Sequence, residues 1–267
     1  MKSKLLLFLL CGTVLMTLAC KSEFEKLRAS GDPDTLYKKA FDFYEAEEYL
    51  KSQTLFELVI NNLRGKVEAE KVYFYYAYTH YKLNKFVLAS YYFKNFTNTF
   101  PNSEYREESD FMSAYANYQL SPTYRLDQTY TFKAIEEFQL FANTYPDSER
   151  VDQCNTLIDG MRKKLEVKAY SEAELYFDLQ QYQSATHSFE NMLKDFPDTK
   201  QAENIRYMIV KASYDLAVNS IFEKQQERHK NVIKNAELFL NRYSRSDYTK
   251  EVKSIKKNSS DKIKELS

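Results

Sequence analysis

Apolar residues recur along the chain with a helical spacing that ends each time at an aromatic residue followed by proline. Steps of four, three and four residues keep these side chains on one face of an α-helix. Proline lacks a backbone N–H and is tolerated only in the first turn of a helix, so each pair predicts that one amphipathic helix ends there. The three copies are Ala89, Phe93, Phe96, Phe100, Pro101; Ala134, Phe138, Phe141, Tyr145, Pro146; and Ala185, Phe189, Met192, Phe196, Pro197. Two weaker copies bring the predicted helices of this kind to five: Ser52, Phe56, Val59, Leu63; and Val232, Ala236, Phe239, Tyr243.

Each of these helices is predicted to have a partner, because one apolar stripe cannot bury itself. In three copies an alanine lies twelve residues before the anchoring Ala or Ser, and an aromatic residue follows that alanine by nine: Ala40 and Tyr49, Ala77 and Phe86, Ala173 and Tyr182. The alanine permits close helix approach, and the aromatic residue is placed to pack across the turn. In two other units the interval is 20 residues, from Ala114 to Ala134 and from Ala212 to Val232. The pattern predicts helix–turn–helix units, two of them with eight extra residues.

Composition favours an all-helical chain. Beyond the first 20 residues the 267-residue sequence has only three glycines, Gly31, Gly65 and Gly160, which disfavours tight hairpins and glycine-rich phosphate loops. Lys plus Arg equals Asp plus Glu at 38 each, so no global field attracts nucleic acid, and we expect no nucleic-acid partner.

The N-terminus has the layout of an export signal. Lys2 and Lys4 precede an apolar run at 5–19, which is too short to span a bilayer. The run ends in "LMTLAC", which resembles the lipobox of bacterial lipoproteins and predicts a signal peptide at 1–19, lipidation at Cys20 and an anchor with linker at 20–33. A plain signal peptide with an incidental cysteine is the alternative. Cys154 then has no partner for a disulfide, and we interpret it as a buried structural thiol.

A row of aromatic residues marks a candidate peptide-binding groove. Tyr37, Phe41 and Tyr44 recur 37 residues later as Phe74, Tyr78 and Tyr81. Each trio lies on one helix face, offset by about 100° from the alanine stripe. Either these rings pack against neighbouring helices, or some face a groove for an apolar or aromatic peptide, with Lys82 and Lys39 available for a negative group.

The sequence gives little support for catalysis. His80, His187 and His229 have no metal-ligand spacing, and adjacent acids such as Glu47 and Glu48 are about 100° apart on a helix. We therefore expect no catalytic residues, no metal and no cofactor.

The helical units resemble the tetratricopeptide repeat over residues 34–245. The lipobox, the segments "SPTYRLDQTYTFKAIEEFQLFANTYPDSER" and "AELYFDLQQYQSATHSFENMLKDFPDT", and their order resemble the BamD family of outer-membrane β-barrel assembly lipoproteins. The resemblance implies an all-α, right-handed α-solenoid of about five helix pairs, followed by a helix end or tail at 246–267.

The resemblance also implies a location and partners. The protein would be lipid-anchored to the outer membrane on its periplasmic face, as a non-catalytic scaffold. Its N-terminal repeats would bind the C-terminal signal of unfolded β-barrel proteins, and its C-terminal repeats would dock a BamA-like barrel subunit. The alternatives are another tetratricopeptide lipoprotein, of the pilotin or envelope-division type, and a surface glycan-binding helical-repeat lipoprotein.

Overall fold

The computed structural model describes residues 23–63 and 65–267, and every regular element in these ranges is helical. A single turn of 3₁₀-helix covers Asn61–Leu63. The α-helices are α1 (Glu23–Ser30), α2 (Pro33–Glu45), α3 (Tyr49–Ile60), α4 (Glu68–Lys82), α5 (Phe86–Thr99), α6 (Arg106–Leu120), α7 (Thr129–Thr144), α8 (Val151–Asp178), α9 (Tyr182–Asp195), α10 (Ala202–Val218), α11 (Phe222–Arg242) and α12 (Thr249–Glu265). The all-α prediction and its five helix pairs, α2–α3 to α10–α11, are confirmed.

The chain divides into two compact units. Among the described residues, the first unit comprises those up to 121 together with 129–158, and the second comprises 122–128 and 159–267. The boundary falls inside the 28-residue helix α8. The connection between α6 and α7 spans 121–128, eight residues where the first, second and fourth pairs have three, so most of the extra residues of the third pair lie there. Those of the fifth pair lengthen its helices, since only three residues separate α10 from α11.

The helices end where the aromatic-proline pairs predict. α5, α7 and α9 each stop one residue before the aromatic, at Thr99, Thr144 and Asp195. The aromatic residue still donates its backbone N–H to the carbonyl four residues earlier, as Phe100 does to Phe96 at 2.8 Å. The following proline has no N–H with which to extend the ladder.

Three of the turns inside the helix pairs share one backbone conformation. Glu47, Asn84 and Gln180 occupy equivalent positions and have φ of 60°, 57° and 59°. This left-handed conformation costs a non-glycine residue free energy, least for asparagine. It allows the next residue to bond back to the helix, as Lys85 N–H does to the His80 carbonyl at 2.9 Å.

The core of the first unit is built from the repeated small and aromatic positions. Ala40, Ala77 and Ala89 are fully buried, as the close-approach prediction requires. Ser52 takes the place of the small residue on α3 and donates its hydroxyl to the Ala40 carbonyl at 2.8 Å. This bond fixes α3 against α2 at the point of closest approach.

The second unit repeats this arrangement. Ala173, Ala185, Phe189 and Met192 pack with residues of α10 in one cluster. Residues 246–267, expected to be a helix end or tail, include α12, whose Val252 and Ile255 join a cluster formed by α10 and α11. Burial of these side chains ties the last helix to the repeat.

Cys154 lies in α8 within the first unit and is fully buried. Burial raises the pKa of its thiol to about 11. The thiol is therefore protonated at neutral pH, which agrees with the predicted structural role.

Candidate peptide-binding surface

Three helices of the first unit carry the predicted aromatic row. α2 holds Tyr37, Phe41 and Tyr44, and α4 holds Phe74, Tyr78 and Tyr81. A third copy lies on α6 and was missed by the sequence analysis, although the same 37-residue interval gives it directly: Phe111, Tyr115 and Tyr118.

Partly buried rings on these helices form what we call the aromatic surface. Its members are Tyr37, Phe41, Tyr44, Tyr75, Tyr78, Tyr81, Tyr115 and Tyr118. Phe74 and Phe111 are instead core residues, with 7% and 2% of their surface exposed. Of the six rings predicted from sequence, Phe74 is therefore a core residue that supports the surface from below, and the other five are partly exposed.

Ring contacts connect the three helices. Tyr75 lies edge-on to Phe41 and Tyr44 of α2, with centroid distances of 5.2 and 4.9 Å. Tyr81 approaches Tyr115 of α6 at 6.2 Å. Aromatic pairs at these distances add roughly 0.5–1.5 kcal/mol beyond their area burial, so the surface is held in place by its own rings.

Tyr78 is held by a charged pair. Its hydroxyl donates to the Glu108 carboxylate, which also pairs with the Arg150 guanidinium. That guanidinium lies 4.0 Å from the centroid of the Phe111 ring. Burial and the neighbouring Glu108 raise the pKa of Tyr78, so its hydroxyl keeps its proton and remains a donor to Glu108.

The lysines near the aromatic surface differ in whether they already pair with a carboxylate of the protein. Lys39 pairs with Asp42 at 3.0 Å, whereas Lys82 forms no ion pair within the described ranges and lies 5.8 Å from the Tyr49 ring. Lys71, which the sequence analysis did not single out, lies 4.7 Å from the Phe41 ring. Lys82 and Lys71 are therefore the cations placed to meet a negative group on a ligand of this surface.

The predicted lipidation site, Cys20, lies outside the described residues. Within them, no helix combines the length and apolar character needed to cross a membrane.

The three histidines lie in separate places. His80 is buried against Tyr92, with ring centroids 4.7 Å apart, and His229 is buried beside the Ser259 hydroxyl at 3.1 Å. His187 is exposed. In the part of the chain that the structure covers, no group of three or more His, Cys, Asp or Glu residues is arranged to hold a metal ion.

Comparison with known proteins gives a family and a structural likeness. None of the curated proteins matches the sequence significantly. Among solved structures, the crystal structure of the P58(IPK) TPR domain is similar over 93% of this chain and 72% of that one, at 15% identity and a TM-score of 0.42. The family model YfiO, described as an outer membrane lipoprotein, matches residues 29–227. Because this match covers most of the chain, the protein belongs to the YfiO family of outer membrane lipoproteins.

Proposed function

We propose that this protein is a BamD-like scaffold subunit of an outer-membrane β-barrel assembly machine. In this proposal Cys20 carries the lipid anchor, and the helical units face the periplasm. The first unit holds unfolded barrel proteins, and the second unit docks a BamA-like subunit. The aromatic surface is the observation that carries the proposal, because it gives an outer membrane lipoprotein a built site for an apolar peptide.

The chemistry of the aromatic surface fits the C-terminal signal of an unfolded barrel protein. Rings that reach solvent on three successive helices offer flat apolar contacts with few rotatable bonds, so little side-chain entropy is lost when a ligand binds. Burial raises the pKa of Tyr44 and Tyr81, which keeps their hydroxyls neutral. A strand-forming segment would place alternate aromatic side chains against these rings, and its terminal carboxylate would lie near Lys82 or Lys71.

The second unit supplies the proposed docking region for the BamA-like subunit, on the helices around Glu203 to Phe222 and Asn231 to Tyr243. Three apolar side chains at the α10–α11 turn support this choice. Val218, Ile221 and Phe222 are 49%, 64% and 70% exposed. Exposed apolar residues this close together in sequence offer a protein partner apolar surface to bury.

Affinity purification from gently solubilised membranes tests the proposal. Wild type should recover a BamA-like barrel protein together with nascent barrel clients. Tyr44→Ala/Tyr81→Ala should lose the clients and keep the barrel subunit, because these rings lie on the aromatic surface and outside the core. Tyr91→Ala is the matched control, since Tyr91 is 61% exposed on α5. Failure of the wild type to recover any barrel protein would refute the assembly role.

A second comparison separates the anchor from the binding surfaces. Cys20→Ala should move the protein from the membrane to the soluble fraction while the purified chain still binds a barrel-derived C-terminal peptide. Retention in the membrane after an alkaline wash that releases proteins held only by protein partners would show that Cys20 is not the anchor.

A further inference from the structure

The second unit contains a groove whose walls are the second helices of two successive pairs. α9 forms one wall, α11 forms the other, and α10 forms the floor. Two adjoining cavities of 430 and 290 Å³ make up the groove and share Glu190 and Asn235 in their lining. Lining positions recur at helical spacing on all three helices, so the groove follows the helix faces and is not a local gap.

The groove is long enough for a peptide segment. Its lining runs from Lys224 to Leu238 on α11, which corresponds to about 20 Å at 1.5 Å per residue. An extended chain advances about 3.3 Å per residue, so roughly six residues would fit along the groove.

Cations outnumber acids in the lining. Five basic side chains face two carboxylates, Glu190 and Glu227; the basic residues are Lys194, Arg206, Lys224, Arg228 and Lys234. Within the described ranges none of the five forms an ion pair, although Arg228 donates to the Ser220 hydroxyl. The groove therefore presents uncompensated positive charge.

Arg206 on the floor gives an independent indication of an anionic ligand. Its Nε is buried and has no hydrogen-bond acceptor among the described residues. A buried donor without an acceptor is costly, and a carboxylate is the group that a guanidinium binds best. Arg206 as a whole is partly exposed, so a ligand carboxylate at the floor would accept hydrogen bonds from the accessible part of this guanidinium.

The remaining lining suits a polypeptide. Asn235 donates its amide to the Ser213 hydroxyl at 2.9 Å, which leaves its carbonyl oxygen for a backbone N–H of the ligand. Asn231 and Gln183 offer both donors and acceptors, and Ile209 and Leu216 supply apolar contacts from the floor.

We propose that this basic groove binds an extended acidic segment of a partner protein, with Arg206 and Lys234 as its main carboxylate receptors. Charge complementarity decides the occupant, since a neutral or basic segment would leave the five cations unpaired. The groove lies on the helices proposed above to dock a BamA-like subunit. Its affinity for an acidic segment is measured on the purified chain, so it can fail or succeed separately from the assembly role.

Fluorescence anisotropy with synthetic peptides tests the proposal. The probe is a labelled peptide of about ten residues in which Asp and Glu alternate with Leu and Ser. A second peptide carries Lys at every acidic position. The folded chain should bind the acidic peptide, release it as salt increases, and bind the basic peptide at least about tenfold more weakly.

Variants then assign the binding to the groove. Arg206→Gln/Lys234→Gln should lower the affinity for the acidic peptide about tenfold or more. Lys250→Gln/Lys253→Gln, at exposed positions of α12, removes the same net charge and should have little effect. Lys224→Glu/Arg228→Glu is a second groove variant, at exposed or partly exposed positions, and it should abolish binding of the acidic peptide. Because it keeps Arg206, it tests the groove even if the Arg206 variant does not fold.

Three results would overturn the proposal. One is the absence of wild-type binding at about millimolar peptide. Another is equal weakening by the groove variants and the α12 variant, which would indicate non-specific attraction. The third is equal affinity for the acidic and basic peptides.

Discussion

The aromatic surface of the first unit and the basic groove of the second unit use the same helix-pair repeat in different ways. The aromatic surface lies on the first helices of three pairs and is built from rings in contact with one another. The basic groove lies between the second helices of two pairs and is lined mainly by charged and amide side chains. Both units share buried small residues where the paired helices meet, such as Ala40 and Ala173. The repeat therefore fixes the core, and the faces that the core does not use are free to acquire different binding chemistry.

The largest expected effect comes from removing one buried ring in each unit. Phe111→Ala and Phe239→Ala should each lower the free energy of unfolding by about 3–5 kcal/mol, because both side chains are at most 2% exposed. Urea unfolding of the two variants measures this cost. Under conditions where both variants remain folded, Phe111→Ala should lower the affinity for the barrel-derived peptide and leave that for the acidic peptide unchanged. Phe239→Ala should lower only the affinity for the acidic peptide. If either variant lost both ligands equally, the two surfaces could not be treated as separate.

Acid should destabilise the protein through its buried histidines. Burial and the nearby Lys85 lower the pKa of His80 to about 4, below the value of about 6.5 expected in the unfolded chain. The unfolded state then binds the proton more readily, so stability is lost as pH falls from about 6.5 toward 4. The expected loss is about 2–3 kcal/mol between pH 7.5 and pH 4.5. Burial lowers the pKa of His229 in the second unit as well, which adds a loss of the same sign.

Urea titrations at the two pH values test this expectation. His80→Phe keeps a ring against Tyr92 and should reduce the pH-dependent loss, whereas His187→Gln, at an exposed position, should leave it unchanged. A His80→Phe protein as acid-sensitive as the wild type would show that other groups control the transition.

A smaller effect distinguishes the charged groups of the two units. Glu108→Gln should cost about 1–2 kcal/mol, because the partly buried carboxylate accepts from Tyr78 and pairs with Arg150. In the second unit, Glu237→Gln should cost less than about 1 kcal/mol, since Glu237 pairs with Lys256 at the surface, at 2.8 Å. Chemical denaturation compares them. Equal costs would mean that Glu108 has no special role in holding the aromatic surface.

The smallest effect concerns the turns, which are alike in both units. Glu47→Asn and Gln180→Asn should each raise the free energy of unfolding by about 0.5 kcal/mol, because asparagine tolerates positive φ better than Glu or Gln. Asn84→Ala should lower it by a similar or larger amount. Thermal unfolding of the three single variants gives the comparison. Stabilisation in one unit only would indicate that the two turns differ in backbone strain although their φ values are alike.

Much of the helical organisation follows from local sequence. The aromatic-proline pairs locate the ends of α5, α7 and α9, because proline affects the backbone next to it whatever the surroundings. The spacing between Ala40 and Ser52 identifies a helix pair, because only small side chains permit that approach. The aromatic row is equally local, and the 37-residue interval extends to the copy on α6 that was overlooked.

Local sequence did not decide which rings of that row reach solvent. Phe74 and Tyr78 lie one helical turn apart on the same face of α4, yet Phe74 is buried beneath Tyr105, with ring centroids 4.4 Å apart, and Tyr78 reaches the surface and Glu108. Their difference depends on residues about 30 positions away, which periodicity within one helix does not reveal. The sequence predicts how many extra residues the third and fifth pairs contain. Only the structure shows that they lie mainly in the connection of the third pair and in the longer helices of the fifth.

The sequence by itself determined that the chain is a series of amphipathic helix pairs, because apolar period, small residues and prolines act within or next to each helix. The tertiary structure decided which helix faces outside the core come together to form a surface or groove. The Glu108–Arg150 pair brings together residues 42 positions apart, and the basic groove combines faces of α9, α10 and α11. Such sites depend on the packing of several helices against one another, and that packing is a property of the fold and not of any single segment.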